Sequence, residues 1–383
     1  MYSRYHSEEA NSCRLCREKL PSESIVSLHP FPLAAQHFLE NNKTPDEVTT
    51  CSVFQCTACG LVQLKASPVS YYRSVITAAV LSKTARDARF AEIKYFVNKY
   101  GKANSQALEV GCGKGGMLDV IKDVGLNVTG IEFEKEFVDE AHKHNRQVVQ
   151  TYLTEFKPDK KYDAVFSFNY LEHQPDVAEF IKNIDRISTD NALVYITVPN
   201  LTYLLKTKSL YEFVPDHLVY FTEETLRLAF QCNGFDILES QIINNENDIL
   251  LIAQKRQKLD LSDCQQDVDE LIDSLNKLAD SYLSQDKKLA VWGAGHRTLA
   301  LLALSNLTQI HCIVDSAPFK QGLYSPVLLK PIISPQEFAQ SDIDAVIVAV
   351  PGIYPKEVIK MIREFEKSFD MYCIEDNKLV SYY

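Results

Sequence analysis

The chain has no long hydrophobic run, no surplus of positive charge and no internal repeat, and each absence removes a class. No apolar stretch approaches the roughly 20 residues that a bilayer crossing needs. Met1-Tyr2-Ser3-Arg4-Tyr5-His6 is not a basic segment leading into an apolar one, so no secretory signal is expected. The expectation is a cytoplasmic protein with no membrane partner. Lys and Arg number 40 against 51 Asp and Glu, which leaves −11 at pH 7. A partner held through its phosphate backbone favours a basic surface, so the acidic balance points away from nucleic acid and toward a small-molecule partner. The 10 cysteines in 383 residues do not suggest a disulfide scaffold.

What is present is an ordinary globular composition, 46% hydrophobic and 24% charged, long enough for two or three domains. Three segments separate by pattern. Residues 1–75 carry cysteines and little helical periodicity. Residues 76–256 alternate helix-like and strand-like stretches, the mark of an α/β fold around a mostly parallel sheet. Residues 257–383 open with apolar residues spaced by three and four over 260–283, one face of a connecting helix between the α/β domains, and then begin a second α/β alternation. In the middle segment, helices are expected over 82–100 (stopped by Gly101), 115–124, 134–145, 175–187 and 222–233. Strands are expected over 106–110, 127–132, 162–168 and 192–198. Residues 235–240 and 249–253 read as a terminal antiparallel hairpin. A parallel sheet with that ending resembles the class I, Rossmann-like methyltransferases.

The strongest motif is Leu108-Glu-Val-Gly-Cys-Gly-Lys-Gly-Gly116, between an expected strand and an expected helix. Glycines there let the backbone turn tightly and approach a ligand. The spacing is not the Gly-x-Gly-x-x-Gly of dinucleotide enzymes, and an acid precedes it. It resembles the S-adenosylmethionine loop, which implies cofactor contacts from Glu109, Gly111, Cys112, Gly113 and Gly115. Glu132 closes the next strand about 20 residues on, where a carboxylate accepts from ribose hydroxyls. By the same resemblance Tyr152 and Leu153 stand where adenine is met, although Tyr152 equally suits a core position. Asn169 opens Asn-Tyr-Leu-Glu-His173 at the sheet's carboxyl edge, where open α/β sheets bind ligands.

Cys13-Arg-Leu-Cys16 and Cys56-Thr-Ala-Cys59 are two C-x₂-C pairs. Each places two thiolates on one side of a tight turn, and together they make a tetrahedral four-sulfur set suited to Zn²⁺. With no open position, such a zinc is structural; four reduced, buried cysteines are the alternative, and because a zinc ribbon can also bind nucleic acid, an RNA-modifying methyltransferase stands beside a small-molecule one. Cys51 and His29 are weaker substitutes for a ligand.

Methyl transfer is an in-line displacement, so the protein must orient the acceptor and remove its proton. Asp216-His217, on a loop ahead of a helix opened by Thr222, reads as a general base, since His has suitable basicity near neutral pH. The alternative is a loop histidine that only binds backbone. Glu172 and His173 carry the same ambiguity. Tyr71 and Tyr72 either reach over the cofactor or pack between domains.

Taken together, the doubled Cys-x₂-Cys with Gly-Leu-Val-Gln after it, Glu-Val-Gly-Cys-Gly, Leu-Glu-His with Pro-Asp, Asp-His before Phe-Thr, and Trp292-Gly-Ala-Gly295 resemble the three-domain sugar C-methyltransferases. That resemblance implies an N-terminal zinc domain, a middle S-adenosylmethionine domain and a C-terminal Rossmann-like domain that anchors a nucleotide sugar. It implies that His217 takes the proton alpha to a sugar ketone, with His173 and Tyr72 assisting, and that the enolate attacks the methyl group. The chain departs from the family at Asp216, where Glu is usual, and at Val214, where a Tyr is often found; oxygen transfer therefore stands beside carbon transfer. In the last segment Gly293, Gly295, His296 and Arg297 begin a second strand–helix turn, and Asp315 closes the following strand. These five are the expected substrate-binding set, the helix start holding a phosphate. A packing-only Rossmann unit is the alternative. The favoured state is a monomer.

Overall fold

A computed structural model describes residues 11–33, 35–36, 48–73 and 82–382. The Met1–His6 segment and the expected 75/76 boundary lie outside the described residues. The chain divides into two compact units, 1–257 and 258–383. Among the described residues no helix is long and apolar enough to cross a membrane.

The first unit begins with β1 (Val26–Pro32), β2 (Val48–Gln55) and β3 (Val62–Leu64), a region whose sequence reads as irregular. The α/β part follows: α1 (Lys83–Tyr100), β4 (Gln106–Val110), α2 (Gly116–Asp123), β5 (Asn127–Glu132), α3 (Lys135–Lys143) and β6 (Val148–Gln150). It continues with β7 (Tyr162–Phe168), α4 (Val177–Ile187), β8 (Ser188–Pro199), α5 (Leu201–Thr207), β9 (Val219–Tyr220), α6 (Glu223–Cys232), β10 (Phe235–Ile243) and β11 (Asp248–Lys255). Helix ends are fixed locally. Ser82 accepts from the Ala85 amide and Gly101 takes the left-handed C-cap of α1, while Thr222 and Thr225 cap α6 reciprocally.

The central sheet runs β10-β11-β8-β7-β4-β5-β6. β6, β5, β4, β7 and β8 are parallel, and β11 enters antiparallel between β8 and β10. This is the strand order of a class I methyltransferase. Period-two alternation covers both faces. Ala107, Ala164, Phe166 and Leu193 pack under α1 and α2; Leu108, Val165 and Val194 pack against α4 and α6. Cys13, Leu15, Phe54, Cys56 and Leu61 join the second of these cores. That shared core is why the cysteine-bearing segment falls within the first unit.

One pairing matters for the site. β1, β2 and β3 form an antiparallel sheet whose fourth strand is β9. Val62 pairs with Tyr220 and Gln63 with Val219, and the Leu64 amide donates to the Leu218 carbonyl at 2.9 Å. The loop bearing His217 is therefore stitched to the cysteine-bearing segment.

The second unit contains α7 (Ser262–Leu283), β12 (Leu289–Trp292), α8 (His296–Ser305), β13 (Cys312–Val314), β14 (Ile332–Ile333), α9 (Pro335–Ala339), β15 (Ala345–Val348), α10 (Tyr354–Arg363), β16 (Asp370–Glu375) and β17 (Lys378–Tyr382). Its sheet order is β14-β13-β12-β15-β16-β17, parallel except for β17. Leu271, Leu275, Ala279 and Tyr282 of α7 and Leu302 of α8 cover one face. Phe338 of α9 and Val358, Ile359 and Ile362 of α10 cover the other.

Candidate functional site

The glycine turn follows β4. Gly111, Gly113 and Gly115 all have positive φ, at 71°, 53° and 84°. A Cβ at Gly111 would lie 2.8 Å from the Tyr170 ring, so the turn admits no side chain there. Glu132, at the end of β5, accepts from the amides of Gly113 (3.0 Å), Phe133 and Glu134 (2.8 Å each). The two acids expected at this site thus have different tasks. Glu132 locks the turn, whereas Glu109 is 3% exposed and its Oε2 has no hydrogen-bond partner among the described residues. Burial, then the neighbouring Glu132, raises Glu109 well above the usual carboxylate range.

Cys112 contributes backbone rather than side chain. Its Sγ fills the space beside Gly130, where a Cβ would come within 2.5 Å, and it joins Leu118, Val138 and Val148 in a small apolar cluster. Asn169 also turns its side chain inward: its amide donates to Asp248 at 3.0 Å and its oxygen accepts from Thr197 at 2.8 Å. Through these bonds the Asn169 side chain braces the sheet edge.

Tyr152 is buried with its hydroxyl on Gln174, and Leu153 lies in the core. Tyr72 and Phe133 meet the Tyr152 ring edge-on, with centroids 6.2 and 6.4 Å away. The Arg73 guanidinium lies 4.8 Å from the Tyr152 ring, 5.4 Å from Phe133 and 5.6 Å from Tyr72. A cavity of about 170 Å³ lined by Tyr72, Arg73, Tyr152, Leu153 and Gln174 opens here. Phe133, Arg73, Tyr170 and Gln174 were missed in the sequence because their partners are distant along the chain.

At the acceptor end, the His173 and His217 rings meet edge-to-face with centroids 4.7 Å apart. His173 Nδ1 lies 2.7 Å from the Asp216 carbonyl oxygen. The His217 ring has no hydrogen bond among the described residues. Both are half-buried, and burial lowers both: His217 falls to about 3, with His173 adding to the effect, and His173 falls less because the Asp216 carbonyl opposes it. Both imidazoles are therefore neutral near pH 7. Glu172 is 2% exposed and is pushed up to about 8 by burial.

The Asp216 carboxylate has partners other than His217. That carboxylate accepts from the Tyr71 hydroxyl at 2.6 Å and the Ala35 amide at 2.8 Å, while its backbone carbonyl orients the other histidine. Val214 meets the Tyr220 hydroxyl through its backbone.

The four cysteines converge. Cys13 and Cys59 sulfurs are 3.5 Å apart, as are those of Cys16 and Cys56, and all four lie within 4.8 Å of one another. Each pair sits on a turn closed by a backbone hydrogen bond, Arg17 to Cys13 and Gly60 to Cys56. Arg17 and Gly60 take the left-handed conformation that this turn requires. Sulfurs 2.3 Å from a tetrahedral zinc are about 3.8 Å apart, so the set needs little adjustment. Cys51 and His29 lie elsewhere: the Cys51 thiol donates to the Phe213 carbonyl and His29 meets Thr49 and Thr50.

In the second unit Gly293 has φ 115° and a Cβ there would strike Val350 at 2.7 Å. Gly295 precedes α8, and His296 and Arg297 are exposed at its start. Asp315 accepts from the Ala294 amide at 2.7 Å and the Ala317 amide at 2.8 Å, and pairs with Lys320 at 3.0 Å. Its carboxylate closes the turn, as Glu132 does in the first unit.

Residues 83–240 match the model of a methyltransferase domain, and residues 241–370 match that of a C-methyltransferase C-terminal domain. The chain is 33% identical over 98 residues to a Mycobacterium tuberculosis (strain CDC 1551) protein described as a probable S-adenosylmethionine-dependent methyltransferase, covering 24% of this chain and 35% of that protein. It is 32% identical over 117 residues to the ubiquinone biosynthesis O-methyltransferase of Rickettsia typhi, covering 29% and 47%. The matched region therefore spans less than half the length of these relatives. A solved S-adenosylmethionine-dependent methyltransferase from Archaeoglobus fulgidus aligns at 21% identity with a TM-score of 0.37, over 44% of this chain and 94% of that one. Residues 83–370 are thus similar to a methyltransferase domain followed by a C-methyltransferase C-terminal domain.

Proposed function

We propose that this pairing of domains makes the chain an S-adenosylmethionine-dependent methyltransferase that transfers to carbon, with a nucleotide-linked keto-sugar as acceptor class. The observation that carries the donor is Glu109, a buried carboxylate with one oxygen lacking a partner among the described residues, beside a glycine turn that admits no Cβ. The methionine ammonium is the cation such a carboxylate lacks. Bound there, S-adenosylmethionine supplies an electrophilic methyl on a sulfonium. Glu109 holds the ammonium, Glu132 offers its remaining lone pairs to the ribose, and Tyr152 with Leu153 borders the adenine.

His217 takes the acceptor proton: its imidazole is neutral near pH 7 and has no hydrogen bond among the described residues. His173, fixed through Nδ1 by the Asp216 carbonyl, packs against it, and Tyr72 borders the donor. Asp216 acts through Tyr71 and the backbone, so it is a positioning residue. Transfer to carbon rests on the match at 241–370; the sugar rests on the resemblance in the sequence. Gly293, Gly295, His296 and Arg297 are, within the second unit, the candidate residues for holding a phosphate. Cys13, Cys16, Cys56 and Cys59 hold a structural zinc that keeps the β3–β9 pairing, and with it His217, in place. The O-methyltransferase relatives favour a second reading, a hydroxyl acceptor at the same base.

The test follows labelled methyl transfer to dTDP-keto-sugars in deuterated water. Exchange of the proton alpha to the ketone is expected, and His217→Ala should lower turnover by roughly 10²–10⁴-fold with adenosylhomocysteine binding intact. Methyl transfer without exchange would move the assignment to oxygen, and full turnover in the variant would remove His217 as base.

A further inference from the structure

Apart from the four cysteines, one other cluster among the described residues brings together groups that ligate metals. A carboxylate oxygen of Glu172 and one ring nitrogen each of His173 and His217 lie within 4.8 Å of one another. The three come from two segments, the turn after β7 and the loop before β9, which the Leu218-to-Glu172 backbone hydrogen bond of 2.8 Å holds together.

Two features distinguish this cluster from a chance meeting of polar groups. Glu172 is 2% exposed, and its Oε2 has no hydrogen-bond partner among the described residues. A carboxylate oxygen in that position is costly unless a proton or a cation meets it. His173 is also already arranged as a ligand. Its Nδ1 donates to the Asp216 carbonyl at 2.7 Å, which fixes the tautomer and leaves Nε2 with its lone pair, the usual outer partner of a metal-binding histidine. That carbonyl is itself held, because the Asp216 side chain accepts from Tyr71 and Ala35.

We infer that Glu172, His173 and His217 form a second metal site, which takes a borderline divalent cation of the Zn²⁺ or Co²⁺ type and, when filled, occupies the lone pair His217 uses as base. Two imidazoles and one carboxylate are a known ligand set for such ions, with a position left open. Bonds of about 2.1 Å draw the ligand atoms to roughly 3.0–3.4 Å from one another, within reach of side-chain rotation. The metal site stands on the cluster's geometry; its consequence, that cation and proton transfer exclude each other, rests on the proposed role of His217.

The experiment uses the full chain, first loaded with one zinc at the cysteines, and titrates it with Co²⁺ in the absence of acceptor. A second equivalent is expected, with visible d–d bands but without the near-ultraviolet thiolate charge-transfer band of a cysteine site. Glu172→Gln and His217→Ala should each weaken it at least tenfold while the first zinc stays. Should Glu172→Gln fail to fold, the half-buried His217→Ala carries the test. No second equivalent, or one that survives in the folded variants, overturns the site. Bound cobalt should also slow ethoxycarbonylation of His217 by diethylpyrocarbonate at least tenfold, mapped by mass spectrometry; an unprotected His217 beside bound cobalt overturns the competition. Stabilisation by adenosylhomocysteine is measured on the same sample. Cobalt binding without it sinks the methyltransferase reading alone, and the reverse pattern sinks the metal site alone.

Discussion

A Cβ at Gly111 meets the Tyr170 ring at 2.8 Å, in a backbone held at φ 71°. Left-handed backbone costs a non-glycine residue about 1–2 kcal/mol, and relief of the ring contact displaces the turn that faces the donor. Gly111→Ala should therefore weaken adenosylhomocysteine binding at least tenfold by calorimetry while the chain still folds; unchanged affinity would mean that the turn does not shape the donor site. At this scale the sequence is legible where partners are neighbours. Glu109, the glycines and Glu132 announce themselves by spacing, because one strand–helix–strand unit holds them all. Asp216 does not: its partner, Tyr71, lies 145 residues away, and no local pattern reports that its carboxylate leaves His217 and its carbonyl takes His173. The inward side chains of Cys112 and Asn169 were hidden for the same reason.

At the scale of elements, β4, β5 and β7 fall on the residues expected of them, since apolar runs bounded by turn residues fix a buried strand. The three-residue β6 and the seven-residue α5 are too short for any period to register. The largest miss is residues 1–75, read as irregular yet contributing β1, β2 and β3. Their pattern is weak because β1 is largely exposed, and the sheet is completed only by the two residues of β9. That pairing links the cysteines to the base. Cys13→Ser should reduce zinc from one per chain toward none, lower the midpoint of thermal unfolding, and lower turnover together with it, since β3 no longer holds the His217 loop. Zinc lost with turnover intact would separate the cysteine site from the acceptor site.

For the whole molecule, two α/β units repeat one device: an acid closing the second strand accepts from the glycine turn of the first, Glu132 on Gly113 and Asp315 on Ala294. The antiparallel ending of the first unit's sheet was legible in the hairpin pattern, whereas the turn-closing bonds of Asp315 were not, because an acid that accepts from backbone amides and one that does not have the same sequence. Burial alone would raise Asp315, but the Ala317 amide, Lys320 and the Ala294 amide outweigh it and hold it below the usual range. A depressed folded-state pKa contributes stability that is present above the unfolded value of about 3.9 and is lost as pH falls through the folded one. The difference in unfolding free energy between the native chain and Asp315→Asn should thus shrink below about pH 4; a constant difference would show that the charge does not matter.

The central claim, a donor site built on Glu109 and the glycine turn, is met most directly by thermal unfolding with and without adenosylhomocysteine. At 100 times its dissociation constant a ligand adds about 2.7 kcal/mol, which for a unit of this size raises the midpoint by roughly 5–10 °C. The account predicts that rise for the transition of the first unit. No shift with either adenosylhomocysteine or S-adenosylmethionine would contradict it.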